Sequence, residues 1–208
     1  MSSSSLIRLG GLATMLAGAL LIIGTIPILM GVIGSDLTKF AQEATTGTYA
    51  LLTRLGVLAT ILLQGGLVAL HSYRSEAMGI LGLVGFVAAF LGTAMALGYA
   101  WADAFVVPAV AEIAPGQLDS IYNIGTWGGA RFLTRVLFGL GWFLFGLAAF
   151  FAAQNHPSWM WGVIMAGGLI SLVPIPGSTL VISVGLVLAG YVLLASRAES
   201  DQQPSRVR

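Results

Sequence analysis

The residues best suited to chemistry in this 208-residue chain are arginines embedded in apolar sequence. Arg131 and Arg135 lie four apart in the stretch GGARFLTRVLFGLGWFLFG. That spacing is about one helical turn, so both guanidinium groups share a face. A guanidinium holds its charge throughout the accessible pH range and offers a planar fork of donors matched to a carboxylate or a phosphate. Arg54 stands at the head of another apolar run and Asp103 at the tail of a third, and Glu112 follows nearby. Two kinds of chemistry fit Arg54, Arg131, Arg135 and Asp103. The arginines form a fork for an anion, a lipid headgroup or a protein partner, or they pair with Asp103 and fix helix register. Three cations against one or two acids leave a positive excess, which sustains the anion site.

A second set lies on one helical face: Thr53, Thr60, Gln64 and His71, interleaved with Val57 and Leu67. Such a polar stripe could line a solute path. Equally, Gln64 could hydrogen-bond across to a neighbouring helix, an interaction contributing roughly 0.6–2 kcal/mol. The two histidines, His71 and His156, form no His-x-x-x-His pair and have no carboxylate cluster beside them, so no metal, haem or other cofactor is expected. The absence of cysteine excludes disulfides, thiolate catalysis and cysteine-held iron–sulfur clusters. Asp103 and Glu112 are separated by Pro108 and by a spacing that no helix brings together. There is no Gly-x-Ser-x-Gly elbow and no His-Glu-x-x-His. No residue is assigned a catalytic role. An enzyme acting on lipids around Asp103, Arg131 and Arg135 is the alternative that such chemistry would require.

The elements that must position these side chains are built for oil. Hydrophobic residues make up 57% of the chain and charged ones 8%, against roughly 25% charged in soluble domains. Too few charges exist to cover a water-facing surface. Six apolar stretches stand out: Leu9–Ile33, Leu55–Leu70, Ala77–Ala102, Val136–Ala153, Trp159–Val173 and Thr179–Ala195. Most approach or exceed the roughly 17–25 residues a helix needs to cross about 30 Å of hydrocarbon. The fifth is short, and spans only if Pro157 and the Pro174–Pro176 turn lie in the interface. Continuous apolar runs, without alternation at every second residue, argue against a closed barrel. The expected fold is all-α: a polytopic membrane bundle of about six transmembrane helices forming one domain over 1–197, with a polar, disordered tail over 198–208. The first run has about 25 uncharged residues, longer than the roughly 7–15 of a signal-peptide core, and reads as a retained helix.

Lysine and arginine in short loops set orientation. Arg8, Arg74, Arg197, Arg206 and Arg208 fall on the side of the N-terminus; the opposite loops hold Lys39 with Asp36, Glu43, Asp103, Glu112 and Asp119. Both termini are therefore expected in the cytoplasm. The segment Ser35–Tyr49 could form a short surface helix, and Pro108 is expected to end or kink the third helix. Trp101, Tyr122 and Trp127 fit an aromatic belt at headgroup depth. Helices in lipid associate through small residues and polar contacts. This assigns inward faces: Gly11, Thr14, Gly18 and Thr25 on the first helix; Gly85, Ala89, Gly92, Ala96, Tyr99 and Asp103 on the third; Arg131, Arg135, Gly139, Trp142, Gly146, Ala149 and Ala153 on the fourth. Inverted three-helix halves, common in transporters, show here only as a Gly-rich helix opening each half.

The stretch VLFGLGWFLFGLAAFFAAQNHPSWMWGVIMAGGLISLVPIPG is similar to a group of uncharacterised bacterial polytopic integral membrane proteins. TRLGVLATILL and AFVVPAVAEIAP resemble the same Gly-rich six-helix group. The resemblance implies a multi-pass protein of the bacterial inner (plasma) membrane and brings no catalytic or ligand residues with it. The reading that emerges is a non-catalytic binding or partner subunit. Its partners would be membrane lipid, another membrane protein or a second copy of itself, and the near-neutral charge of +1 gives no face for nucleic acid. The rival is a small-solute transporter or channel along Thr53–His71.

Overall fold

The computed structural model describes residues 3–30, 39–118, 125–152, 158–175 and 177–202. Among these every regular element is helical. In chain order they are α1 (Ser3–Leu29), a short α2 (Phe40–Ala44), α3 (Gly47–Trp101), a π-helical turn (Ala102–Val106), α4 (Val107–Ile113), a 3-10 turn (Pro115–Gln117), α5 (Gly125–Phe151), α6 (Ser158–Ser171) and α7 (Leu180–Gln202). Three helical stretches are long and apolar enough to cross a membrane: Ser5–Leu29, Gly47–Ile113 and Gly128–Phe151. The second is 67 residues long because it contains two antiparallel arms, 47–78 (α3a) and 80–101 (α3b). They reverse at Gly79, with φ 57° and ψ −152°, a combination essentially confined to glycine. The segment HSYRSE, between the second and third apolar stretches, is thus helical. Gly79 alone makes the turn.

Chain neighbours pack on one another, and the last helix closes on the first. Small residues set each contact. A Cβ at Gly10 would meet Ala69, and one at Gly66 would meet Thr14, joining α1 to α3a. Gly85, Gly92 and Gly141 place the backbones of α3b and α5 against each other. Gly139, Gly146 and Gly168 do the same for α5 and α6, Gly167 and Gly185 for α6 and α7, and Gly18 and Gly190 for α7 and α1. Gly18, Gly85, Gly92, Gly139 and Gly146 stand on faces expected from the small-residue spacing; the contacts at Gly10, Gly66 and Gly141 and those between α6 and α7 lie outside those faces. Large side chains fill the interior: Leu63, Leu67 and Leu70 from α3a, Trp142 and Phe145 from α5, Ile164 from α6, and Ile182 and Leu186 from α7 are all essentially inaccessible. Threonine and serine hydroxyls inside the bundle return to carbonyls one turn back, as Thr14 does to Gly10 and Ser183 to Thr179, both at 2.7 Å. That is how a polar side chain tolerates burial.

Three details modify the sequence reading. Pro108 does not end its helix. The preceding π-helical turn, in which the Val107 N–H donates to the Ala102 carbonyl, widens the coil, and the chain continues helically to Ile113. The last helix, instead of giving way to a disordered tail at 198, runs on to Gln202; Arg, Ala, Glu and Gln in SRAESDQ are helix formers. Residues 203–208 lie outside the described residues. Finally, α6 has only 14 residues, about 21 Å of helix. Gly139 of α5 lies opposite Gly168 and Leu172, at the close of α6. The first half of α5, with both its arginines, therefore extends beyond the end of α6.

A second apolar cluster caps the bundle at the Asp103 end. Ala44 of α2, Tyr49 of α3a, Val107 and Ala111 of α4, and Leu118 are buried together, with Phe40 packed against them. The expected surface helix within 35–49 is thus α2. It is held by apolar contacts and by Thr46, whose side chain accepts from the Tyr49 N–H at 3.2 Å.

Candidate functional site

On α5, Phe138, Gly141 and Phe145 meet α3b while Gly139 and Gly146 meet α6. Arg131 and Arg135 lie between those two faces, in line with Trp142 and Ala149, which are completely buried. Both arginines therefore stand at helix positions in register with the buried line of α5, at its Asp103 end. Arg135 is seven residues, about 10 Å, beyond Trp142. The sequence-derived inward face is borne out at Trp142, Gly146 and Ala149.

Asp103 sits in the π-helical turn that continues α3b. Its Oδ1 lies 3.9 Å from Nη2 of Arg131, with the two side chains 29% and 44% exposed. At that separation and exposure an ion pair contributes under about 1 kcal/mol. It is a loose pair. The Arg131 guanidinium also lies over the Tyr99 ring, 5.6 Å from its centroid, and the phenol of buried Tyr49 is within electrostatic reach of both Asp103 and Arg131. Arg54 is exposed, with its guanidinium 5.8 Å from the centre of the Phe105 ring. Arg135 is half-buried. Among the described residues neither Arg54 nor Arg135 forms an ion pair, and Glu112 is exposed and joins none. The cluster is thus Asp103 with Arg131 and two further cations at the same end, with no acid paired to those two among the described residues.

Tyr49 and Phe105 are members that the charge pattern missed. Tyr99, four before Asp103, stands on the inward face expected for the third helix. Tyr49 falls eight residues before Val57, on the same side of α3a, but the polar sequence around it hid its burial. Tyr122 lies outside the described residues, as does the side chain of Trp127; Trp101 is exposed, as a residue at headgroup depth should be.

The Thr53–His71 stripe is laid out differently. Thr53 donates to the carbonyls of Tyr49 and Ala50, and Thr60 to those of Gly56 and Val57, all within α3a. Gln64 Nε2 donates to the Phe90 carbonyl on α3b at 3.4 Å, while its Oε1 is buried with no partner among the described residues. His71 stacks on Phe86, ring centroids 4.3 Å apart, and its Nδ1 is likewise buried and unpartnered. Gln64 and His71 face α3b. The interior side of α3a is taken by Leu63, Leu67 and Leu70. His156 lies outside the described residues. Among the described residues no group of three or more His, Cys, Asp or Glu side chains converges as a metal site would require.

No family model, curated protein or solved structure matches the chain. What the Asp103 end can do chemically follows from its charges: among the described residues Arg54 and Arg135 have no carboxylate, and Arg131 has Asp103 at 3.9 Å.

Proposed function

We propose that the chain is a six-span protein of the bacterial inner membrane, with both termini in the cytoplasm. It acts as a non-catalytic binding subunit whose outer-mouth arginines hold an anionic group. One observation carries the reading: Arg135, half-buried on the interior line of α5, has no acidic partner among the described residues. A guanidinium partly removed from water and not neutralised favours an oxyanion. Arg131 adds to the attraction, because its hold on Asp103 is loose enough for an incoming carboxylate or phosphate to compete. The solute-path alternative draws less support, since the threonine hydroxyls of its stripe are turned onto their own helix and leucines fill the interior beside them. A lipid-modifying enzyme would have Asp103 as its general base, a carboxylate that lies 3.9 Å from the Arg131 guanidinium.

Equilibrium binding of inorganic phosphate, acetate and a short-chain anionic phospholipid to the detergent-solubilised chain tests the proposal. Arg135→Gln should weaken binding at this site at least about tenfold, the loss expected for a charge-assisted contact. Asp103→Asn, which releases Arg131, should strengthen it. An affinity left unchanged by both substitutions would remove the outer site from consideration.

A further inference from the structure

The opposite end of the bundle carries a cation that the sequence places in a connecting segment. Arg74 lies four residues after Leu70 and seven after Leu67, so it continues the interior face of α3a past the last of the buried leucines. Its guanidinium is half-buried. One Nη1–H donates to the Ala152 carbonyl, just past the end of α5, at 3.2 Å. The group also lies 5.7 Å from the ring centres of both Tyr73 and Trp161. Three elements, α3a, α5 and α6, thus converge on one guanidinium. Among the described residues no carboxylate pairs with it.

The second observation is independent of that charge. Trp161 is 3% exposed, and its indole Nε1 has no hydrogen-bond partner among the described residues. The contrast with Trp142 is informative. That equally buried indole donates to Thr93 Oγ1 at 3.3 Å, as a buried tryptophan ordinarily does. His71, one turn before Arg74, adds an unpartnered Nδ1. A guanidinium with four remaining N–H donors, lying over the ring of a tryptophan whose indole N–H is buried and orphaned, makes a donor-rich site with no acid among the described residues. Acceptor oxygens carrying negative charge satisfy both.

We propose that Arg74 and Trp161 form an anion site at the inner end of the bundle, separate from the Arg135 site, that takes a carboxylate or phosphate oxyanion through the guanidinium fork and the indole N–H. Leu63, Leu67, Trp142 and Phe145 fill the interval between the two ends. The inner site therefore fills from its own side of the membrane, and its occupancy does not depend on the outer one.

The Trp161 indole N–H reports on the site directly. Its proton resonance is assigned by loss of one of the tryptophan side-chain signals in Trp161→Phe. The intact chain in maltoside micelles is then titrated with inorganic phosphate, with acetate and with dihexanoyl phosphatidylglycerol. A saturable downfield shift is expected. It should be unchanged in Arg135→Gln, weakened at least about tenfold in Arg74→Gln, and partly restored in Arg74→Lys, which keeps the charge without the fork. A shift produced by free phosphate or acetate identifies a soluble ion as the occupant, and one produced only by the lipid identifies a headgroup. A Trp161 signal that none of the three moves in the wild-type chain overturns the proposal, whether or not the Arg74 variants fold. So does a shift that Arg74→Gln leaves intact.

Discussion

Two single residues carry consequences out of proportion to their size. Trp142, at the centre of the bundle, has its indole N–H satisfied by Thr93, whose own hydroxyl donates to the Ala89 carbonyl at 2.7 Å. Thr93→Val keeps the shape and removes the acceptor, leaving a buried donor orphaned. Hydrogen bonds between helices in a membrane are worth roughly 0.6–2 kcal/mol, so thermal unfolding in detergent should show a loss in that range, with Thr93→Ser close to wild type. At Gly79 the strain belongs to the backbone alone. A Cβ there would meet nothing within 4 Å, yet φ and ψ lie where side-chain-bearing residues are strained by about 1–3 kcal/mol. Gly79→Ala should destabilise by that amount despite the open space; a neutral result would mean the reversal is made elsewhere. Neither residue stood out in sequence. Thr93 was hidden among small residues whose spacing marks a packing face without showing which of them faces a tryptophan, and Gly79 is one of 28 glycines.

Elements were far more legible, because packing in lipid selects for small residues at regular spacing and that spacing survives in the sequence. The α3b face of Gly85, Ala89 and Gly92 meets the α5 face containing Gly141, backbone to backbone. A Cβ at Gly92 would fall on the Phe138 backbone nitrogen, whereas one at Gly98, on the same helix, would meet nothing within 4 Å. Gly92→Ala should therefore push α3b from α5 and cost about 1–3 kcal/mol, as overpacking does. Gly98→Ala should be neutral or slightly stabilising, since alanine is the better helix former. Unfolding midpoints of the two variants compared side by side decide this, and equal effects would mean that the interface is not where the glycine pattern places it. What sequence could not show was continuity. The π-helical turn that carries the chain past Pro108, and the helical path through HSYRSE, depend on hydrogen-bond registers that no residue pattern encodes. Arg74 was misplaced for the same reason: read as a loop charge, it is in fact the end of a buried stripe.

At the scale of the whole molecule, the charges at the two ends nearly balance. Lys39, Arg54, Arg131 and Arg135 belong to the Asp103 end; Arg8 and Arg74 belong to the other, and Arg197, Arg206 and Arg208 follow the apolar part of α7. Summed without regard to position, these cations hardly orient the bundle. The orientation follows only if arginines engaged within the helices are set aside, since it is loop cations that resist translocation. Arg131 over Tyr99 and beside Asp103, and Arg54 over Phe105, are engaged in that sense. Arg74, held to the Ala152 carbonyl, must then be set aside too, which leaves Arg8 and the C-terminal arginines against Lys39 alone. Because the chain has no cysteine, a single introduced thiol can test this. Glu112 and Glu76 are exposed at opposite ends. A membrane-impermeant maleimide should label Glu112→Cys on intact cells, and Glu76→Cys only after the membrane is opened. The reverse pattern would place the Arg135 site in the cytoplasm and the Arg74 site outside, exchanging the compartments from which each draws its anion. Equal labelling of both in intact cells would mean that no bilayer separates the two ends, and the bundle would have to bury its apolar rim against protein instead of lipid.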